Sequence, residues 1–178
     1  MSKTLIKFHT AVRAQDLEGM KSILSNRIKK KKCIDSTDEN GQTALHSAAS
    51  NGFMDMAQLL IDYGASVNAQ DKSQWTPLLC AASNFHLQMC ELLLGAGASA
   101  NHQNSSGTTM LHFLTRLRPK ENEGLYLRIL KTAIEKGCNP NLVNGAGETP
   151  LHQCSLRGNL LAINFLLNSG ADLNIRTK

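Results

Sequence analysis

A short helix with one apolar side is predicted from Thr43 onward. Threonine favours the N-cap of a helix, and Ala48 and Ala49 are small enough to let a neighbouring helix approach closely. The pair Asn51-Gly52 ends the helix, because glycine readily adopts the left-handed conformation found at helix C-termini. The pattern therefore predicts a first helix that packs through small side chains.

A second helix is predicted directly after this break. Met56, Leu59, Leu60 and Tyr63 lie three or four residues apart, so they share one side of a helix that Gly64 ends. Polar residues suited to a projecting hairpin loop follow. Two such helices cannot cover their own apolar sides, so each pair must stack on neighbouring pairs.

The same pattern recurs along the chain. Each recurrence begins with one of four tetrapeptides, Thr43-Ala-Leu-His46, Thr76-Pro-Leu-Leu79, Thr109-Met-Leu-His112 and Thr149-Pro-Leu-His152. Their threonines are 33, 33 and 40 positions apart, and a Gly-Ala or Gly-Cys pair followed by Asn closes each unit. We expect Leu59 and its counterpart Leu92 to be buried in the central units. The array is predicted to act through its surface rather than through a catalytic pocket.

These recurring residues resemble the ankyrin repeat family. The tetrapeptide, the Ala pair, the Leu-Leu pair and the closing Gly-Ala-x-x-Asn recur in register from Asp38 to Lys178. The resemblance implies an all-α solenoid of stacked helix-turn-helix units with projecting β-hairpin-like loops, forming one domain. The expected units are 1–37, a divergent amino-terminal capping repeat with a basic loop, followed by 38–70, 71–103, 104–143 and 144–178.

Three departures from the repeat pattern are visible. Gln74 stands where glycine is usual, and Leu79 stands where histidine is usual. The third unit is seven residues longer than the others, and we expect the extra residues in 117–125. Segment 118–124 is predicted to be an exposed bulge that extends neither helix. The last unit ends where another repeat would begin, so we expect further repeats or another domain downstream.

The run Arg27 to Cys33 contributes much of the net charge of +5. We interpret it as a solvated loop between the capping repeat, 1–37, and the first full unit, 38–70. Alternatives are a nuclear import signal, or attraction to an acidic protein, to anionic lipid or to nucleic acid. Nucleic acid is weakly supported, since no aromatic residues are interleaved with the lysines. An acidic partner would bind at Lys29, Lys30, Lys31 and Lys32.

Composition favours a protein of the cytoplasm or the nucleus. The first ten residues lack a long apolar segment, and no stretch approaches the roughly 20 apolar residues of a membrane span. The chain has five cysteines, an odd number, and no CxxC motif. They are predicted to be reduced and mostly buried: Cys33, Cys80, Cys90, Cys138 and Cys154.

No catalytic, metal-binding or cofactor-binding residues are predicted. His46, His112 and His152 share one slot of the repeat, where each ring is expected to bond to the local turn and hold stacked loops together. His152 lies only two residues from Cys154, so on a helix it points away from that thiol. Zinc spacings and phosphate-binding glycine motifs are absent from the sequence. The chain is therefore predicted to be non-enzymatic.

The family resemblance implies that a protein partner binds the concave face, formed by the hairpin tips and the first helix of each pair. The matching tip positions are Glu39, Asn40, Gln42, Lys72, Ser73, Trp75, Ser105, Ser106, Thr108, Ala146 and Glu148. The matching first-helix positions are Ser50, Asn51, Ser83, Asn84, Arg116, Leu117, Leu156 and Arg157. The partner's identity is not encoded in this pattern.

Trp75 is the only tryptophan and stands at a tip. It is interpreted either as a binding residue, since interface energy concentrates in Trp, Tyr and Arg, or as a residue that packs on the neighbouring hairpin. Four asparagines are expected to bridge successive turns, and the resemblance implies that this slot can be hydroxylated: Asn68, Asn101, Asn141 and Asn174. Two other functions remain open, a regulatory segment of a larger enzyme or channel, and a sensor of acidic ligands or anionic lipid built on Arg27 to Lys32.

Overall fold

The computed structural model describes residues 3–117 and 122–178 of the 178-residue chain, which contain eleven α-helices and no strand. An isolated antiparallel bridge joins Thr37 and Thr43. The helices are α1 Lys3–Arg13, α2 Leu17–Leu24, α3 Arg27–Cys33, α4 Ala44–Asn51, α5 Met54–Asp62, α6 Pro77–Ser83, α7 Leu87–Gly95, α8 Met110–Leu114, α9 Glu123–Glu135, α10 Pro150–Arg157 and α11 Leu160–Asn168.

The helices form two stacked layers. The first helices α1, α4, α6, α8 and α10 pack on one another in this order, and the second helices α2, α5, α7, α9 and α11 form the other layer. Helix α3 packs on α1 and α2. One continuous core contains side chains from both layers, among them the fully buried Leu45, Leu60, Leu78 and Leu93. The predicted all-α solenoid of stacked helix pairs is confirmed.

The helix ends follow from local sequence. Thr43 caps α4, and its neighbour His46 completes a reciprocal capping box with the threonine backbone. Gly52 ends α4 with a left-handed φ of 71°, and Gly64 has a φ of 83° just beyond α5. These glycines adopt the conformation that side chains with a Cβ disfavour, so the predicted breaks are confirmed.

The basic run is helical, so its interpretation as a loop is wrong. Helix α3 begins after Asn26, whose side-chain oxygen accepts hydrogen bonds from the backbone N–H groups of Ile28 and Lys29 at 3.1 Å. Lysine has good helix propensity, and three lysines in the last turn complement the negative end of the helix dipole. The buried side chain of Cys33 joins the end of α3 to the core.

The long third unit differs from its predicted form. Helix α8 has 5 residues where α4 has 8, whereas α9 has 13 where α5 has 9. When Gly137 is aligned with Gly64, the four additional residues lie at the start of α9 and include Glu123 and Gly124. The prediction of a bulge that extends neither helix is therefore wrong for these two residues; 118–121 lie outside the described residues.

Tyr126 explains why the second helix lengthens. Its side chain is fully buried, and its hydroxyl donates to the Leu114 carbonyl at 3.1 Å, at the end of the shortened α8. Asn159 caps α11 and donates from Nδ2 to the Tyr126 hydroxyl at 3.0 Å and to the Leu117 carbonyl. The buried phenol and amide thereby satisfy carbonyls at and just beyond the end of α8.

The two leucines at each Leu-Leu pair are not equivalent. Leu60 and Leu93 have no exposed surface, whereas Leu59 and Leu92 are half-buried at the edge of the core. The expectation that Leu59 and Leu92 are the buried members is wrong by one position. Side chains of consecutive helical residues differ in direction by about 100° around the helix axis. A shift of one position therefore moves a side chain from the core to its edge. Among the described residues, no helix combines the length and the apolar character required to cross a membrane.

Leu60→Ala is expected to lower the free energy of unfolding by about 2–5 kcal/mol, because it empties a fully buried position between stacked pairs. Leu59→Ala, the matched control, is expected to cost clearly less. Urea denaturation followed by circular dichroism measures both values. Equal losses in the two variants would contradict this placement of the core.

Candidate functional site

Two of the repeated histidines, His46 and His112, link a capped turn to the next unit. His46 Nδ1 accepts from the Thr43 backbone N–H at 3.1 Å, and its Nε2 bonds to the Trp75 carbonyl at 2.9 Å. His112 bonds in the same way to the Glu148 carbonyl at 2.9 Å. Because Nδ1 is the acceptor, the proton lies on Nε2, which donates to the neighbouring loop. The predicted structural role is confirmed for both rings.

Asparagines form a second set of links between repeats. In each case the side-chain amide donates to a glycine carbonyl of the next unit, and its oxygen accepts a backbone N–H two residues beyond that glycine. The bonds are Asn68 with Gly97 and Ser99, Asn101 with Gly137 and Asn139, and Asn141 with Gly170 and Asp172, at 2.7–3.1 Å. Bridging is confirmed for these three asparagines. Asn174 bonds to Asp172 within its own turn, and hydroxylation of this slot stays a prediction.

The hairpin tips are joined into one row by backbone hydrogen bonds. The N–H groups of one tip donate to carbonyls of the preceding tip at 2.8–3.2 Å: Lys72 to Asn40, Ser105 to Ser73, Gly145 to Ser106 and Lys178 to Ala146. Within each tip, a side-chain oxygen accepts two N–H groups of its own turn; the residues are Asp38, Asp71, Asn104 and Asn144. The tips are therefore held in fixed positions relative to one another.

All nineteen predicted partner-binding residues are exposed or half-buried. They lie along the row of tips and on or next to the first helices. Some neighbouring members are hydrogen-bonded to each other; for example, Asn84 Nδ2 donates to Ser50 Oγ at 3.3 Å. Leu156 is 76 % exposed beside Leu173 at the carboxyl-terminal end of the array. Accessibility does not test binding, so the binding role of all nineteen stays a prediction.

The surroundings of Trp75 are compatible with both of its interpretations, as a binding residue and as a residue that packs on the neighbouring repeat. Its ring is half-buried and packs against Phe113 of the next unit, with ring centroids 5.2 Å apart and planes inclined by 32°. Its backbone carbonyl is the acceptor of the His46 ring. The side chain therefore stiffens the junction between two repeats while part of its surface faces solvent.

A groove lies between the first helices of the second, third and fourth units. It has a volume of about 460 Å³ and is lined by Ser83, Phe85, Phe113, Arg116 and Arg157. Sequence reasoning found Ser83 and both arginines but missed the two phenylalanines. For Phe85 a signal was present, because this residue stands where the first and fourth units have glycine.

That turn position is occupied by Gly52, Phe85 and Gly158, with φ angles of 71°, 58° and 63°. Gln15, φ 55°, occupies the same place between α1 and α2. The backbone is thus left-handed whichever residue is present, and Phe85 is a bulky side chain in a conformation that glycine adopts without strain.

The cations of α3 are exposed, except that Lys30 is half-buried. Within residues 3–117 and 122–178 the ion pairs are Lys21–Glu18, Arg128–Glu91 and Lys131–Glu135, and none includes a side chain of α3. The ammonium of Lys30 lies 5.6 Å from the centre of the Tyr63 ring. The positive charge of α3 is therefore available to an external anion.

The five thiols are free and buried, as predicted. Burial raises the pKa of Cys80, Cys90 and Cys138 to about 12, and that of Cys154 to about 11. Since the thiolate is the nucleophilic form, these side chains are unreactive at neutral pH. In the described part of the chain, no group of three or more His, Cys, Asp or Glu side chains is arranged to hold a metal ion.

Comparison with known proteins agrees with this geometry. A family model described as ankyrin repeats (3 copies) matches residues 8–104 and again 81–177. The chain belongs to the ankyrin repeat family. A search of curated proteins returned no match.

The neutral histidines predict a stability that depends on pH. Burial lowers the pKa of His46 and His112 below the ordinary value of 6.5. The unfolded chain therefore binds protons first as the pH falls. The stability contributed by the neutral rings is complete above about pH 6.5 and is lost as the pH falls through the lower folded-state pKa values. The thermal midpoint is expected to decrease between about pH 7 and pH 5.

The double variant His46→Leu, His112→Leu is the control, because Leu79 occupies the same slot naturally and is buried. Its midpoint should change less over this interval, with some dependence left from His9, whose pKa burial also lowers. Differential scanning fluorimetry at several pH values makes the comparison. An identical pH dependence in wild type and variant would rule out the two rings as its cause.

Proposed function

We propose that this chain is a non-enzymatic scaffold that binds a partner protein on the concave face formed by its hairpin tips and first helices. Ankyrin repeats generally serve as protein–protein interaction modules. The observation that carries the proposal is the row of four tips, joined by backbone hydrogen bonds, beside first helices whose predicted contact residues are all accessible.

Rigidity makes this surface suited to binding. Each tip is braced by its own Asp or Asn side chain, by a backbone bond to a neighbouring tip and, at two junctions, by a histidine from the preceding unit. Loops that are already ordered lose little conformational freedom when a partner binds, so more of the contact energy appears as affinity. The buried, protonated thiols favour a binding role over a catalytic one.

The cations of α3, which form no ion pairs among the described residues, favour an alternative function. In it, Arg27 to Lys32 bind acidic ligands or anionic lipid. A regulatory role within a larger enzyme or channel is compatible with the same binding surface. For either role we place the protein in the cytoplasm or the nucleus, where buried free thiols stay reduced.

Partners are to be captured from cell extract with the biotinylated chain, identified by mass spectrometry and measured by calorimetry. Lys72→Glu with Ser106→Glu should weaken binding at least about tenfold, because it introduces negative charge at two exposed tips. Gln88→Glu with Lys136→Glu makes the same change in net charge on the second-helix layer and should leave the affinity unaltered. The opposite result would place the partner on the second-helix layer.

A variant with glutamine at the four lysines of α3 distinguishes this alternative from binding at the tips; the lysines are Lys29, Lys30, Lys31 and Lys32. If the tips form the site, this variant should mainly slow association and reduce its dependence on salt, because exposed charges steer encounter. Surface plasmon resonance at several salt concentrations gives both rates. Complete loss of binding, with normal binding by the tip variant, would identify α3 as the main site.

A further inference from the structure

Phe85 has a strained backbone conformation and an exposed aromatic side chain, and packing of the core explains neither feature. Its backbone is left-handed, with φ 58°, in a turn where two other units have glycine. Its ring is 39 % exposed and is not among the side chains packed on the core, unlike Phe113. Strained backbone conformations persist where the surrounding structure holds them, and they cluster at functional sites. An aromatic ring held in such a position therefore points to a binding role.

The surroundings of Phe85 identify the chemistry of that role. The groove beside it is lined by two aromatic rings, by the Ser83 side chain and by the exposed Arg116 and Arg157. Among the residues that the structure describes, no carboxylate lines the groove and neither arginine has an ion-pair partner. Arginine binds carboxylates through parallel hydrogen bonds, so the groove is complementary to an anion next to an apolar group.

The rest of the repeat array argues against a polyanionic ligand such as nucleic acid at this place. Residues 34–178 carry ten Lys and Arg side chains against twelve Asp and Glu, whereas residues 1–33 carry nine against two. A long polyanion would meet no excess of positive charge along most of the array. A segment with one or two acidic side chains meets only the local positive charge of the groove.

We propose that this groove binds a short acidic segment of the partner protein. An aliphatic or aromatic side chain of the segment lies on Phe85 and Phe113, and an adjacent carboxylate is bound by Arg116 and Arg157. The inference rests on the proposed protein-binding function and names the chemistry that the partner supplies.

Phage display of random twelve-residue peptides on the full chain tests the proposal, with affinities then measured on the selected synthetic peptides. Trp75 provides a built-in reporter, because its ring packs on Phe113 and its fluorescence should change when the groove is occupied. Selected peptides should be enriched in Asp or Glu next to Leu, Phe, Tyr or Trp. Enrichment without carboxylates, or no retained peptide, would overturn the inference.

The Arg116→Gln, Arg157→Gln variant should bind the selected peptides at least about tenfold more weakly, as expected when charged hydrogen bonds are lost from an interface. Arg128→Gln, which removes an exposed arginine paired with Glu91 on the other layer, is the matched control and should bind normally. Peptides lost from the tip variant Lys72→Glu, Ser106→Glu but retained by the arginine variant would overturn the groove proposal and leave protein binding at the tips in place.

Phe85→Gly separates binding from stability. Because glycine accepts the left-handed turn, the thermal midpoint should be equal to or above that of the wild type, while peptide affinity falls at least about tenfold. Gln15→Gly makes the same backbone change in the first pair and should leave affinity unchanged. A sharp decrease of the midpoint in Phe85→Gly, or an unchanged affinity, would show that Phe85 is not a binding residue.

Discussion

Every feature of this protein depends on packing between successive helix pairs, because no pair is large enough to bury its own apolar sides. The fully buried residues come from both layers and from every unit, so the core extends along the array instead of closing within one unit. Stacking also decides where polar groups lie. The His46 and His112 rings and the bridging asparagines reach carbonyls that only the next unit provides.

The third unit shows how strictly stacking is maintained when the repeat length changes. Its first helix is short and its second helix is long, yet both layers continue through it to the fourth unit. Buried Tyr126 and Asn159 bond to each other and donate to the Leu114 and Leu117 carbonyls at and just beyond the end of α8. The groove depends on the same continuity, since its five lining residues come from three consecutive units.

Local signals in the sequence were sufficient for the fold. Thr43, Gly52 and Gly64 specify helix ends through short-range chemistry, and the recurring His and Asn slots indicated links between units. Where tertiary contacts decide, prediction failed. Cys33 is buried at the end of α3 and Tyr126 near the start of α9, and neither contact is visible in the local sequence. The Asn26 cap of α3 is a local signal that the interpretation as a loop overlooked.

The candidate site was predictable only in part. The repeat register locates its tip and first-helix positions, because each is defined within one unit. The groove could not be found in this way, since it is formed where Phe85, Phe113 and Arg157 of three different units meet. Phe85 did carry a sequence signal, the replacement of a turn glycine by a bulky side chain, but its meaning depends on neighbours that only stacking brings together.

Hydrogen–deuterium exchange of the chain, free and bound to a captured partner, tests the central claim most directly. A partner on the concave face should slow amide exchange in the tips 39–42, 72–75 and 105–108 and in α6 and α8, while exchange in α5 and α7 stays unchanged. Slower exchange confined to the second helices or to α3 would contradict the account.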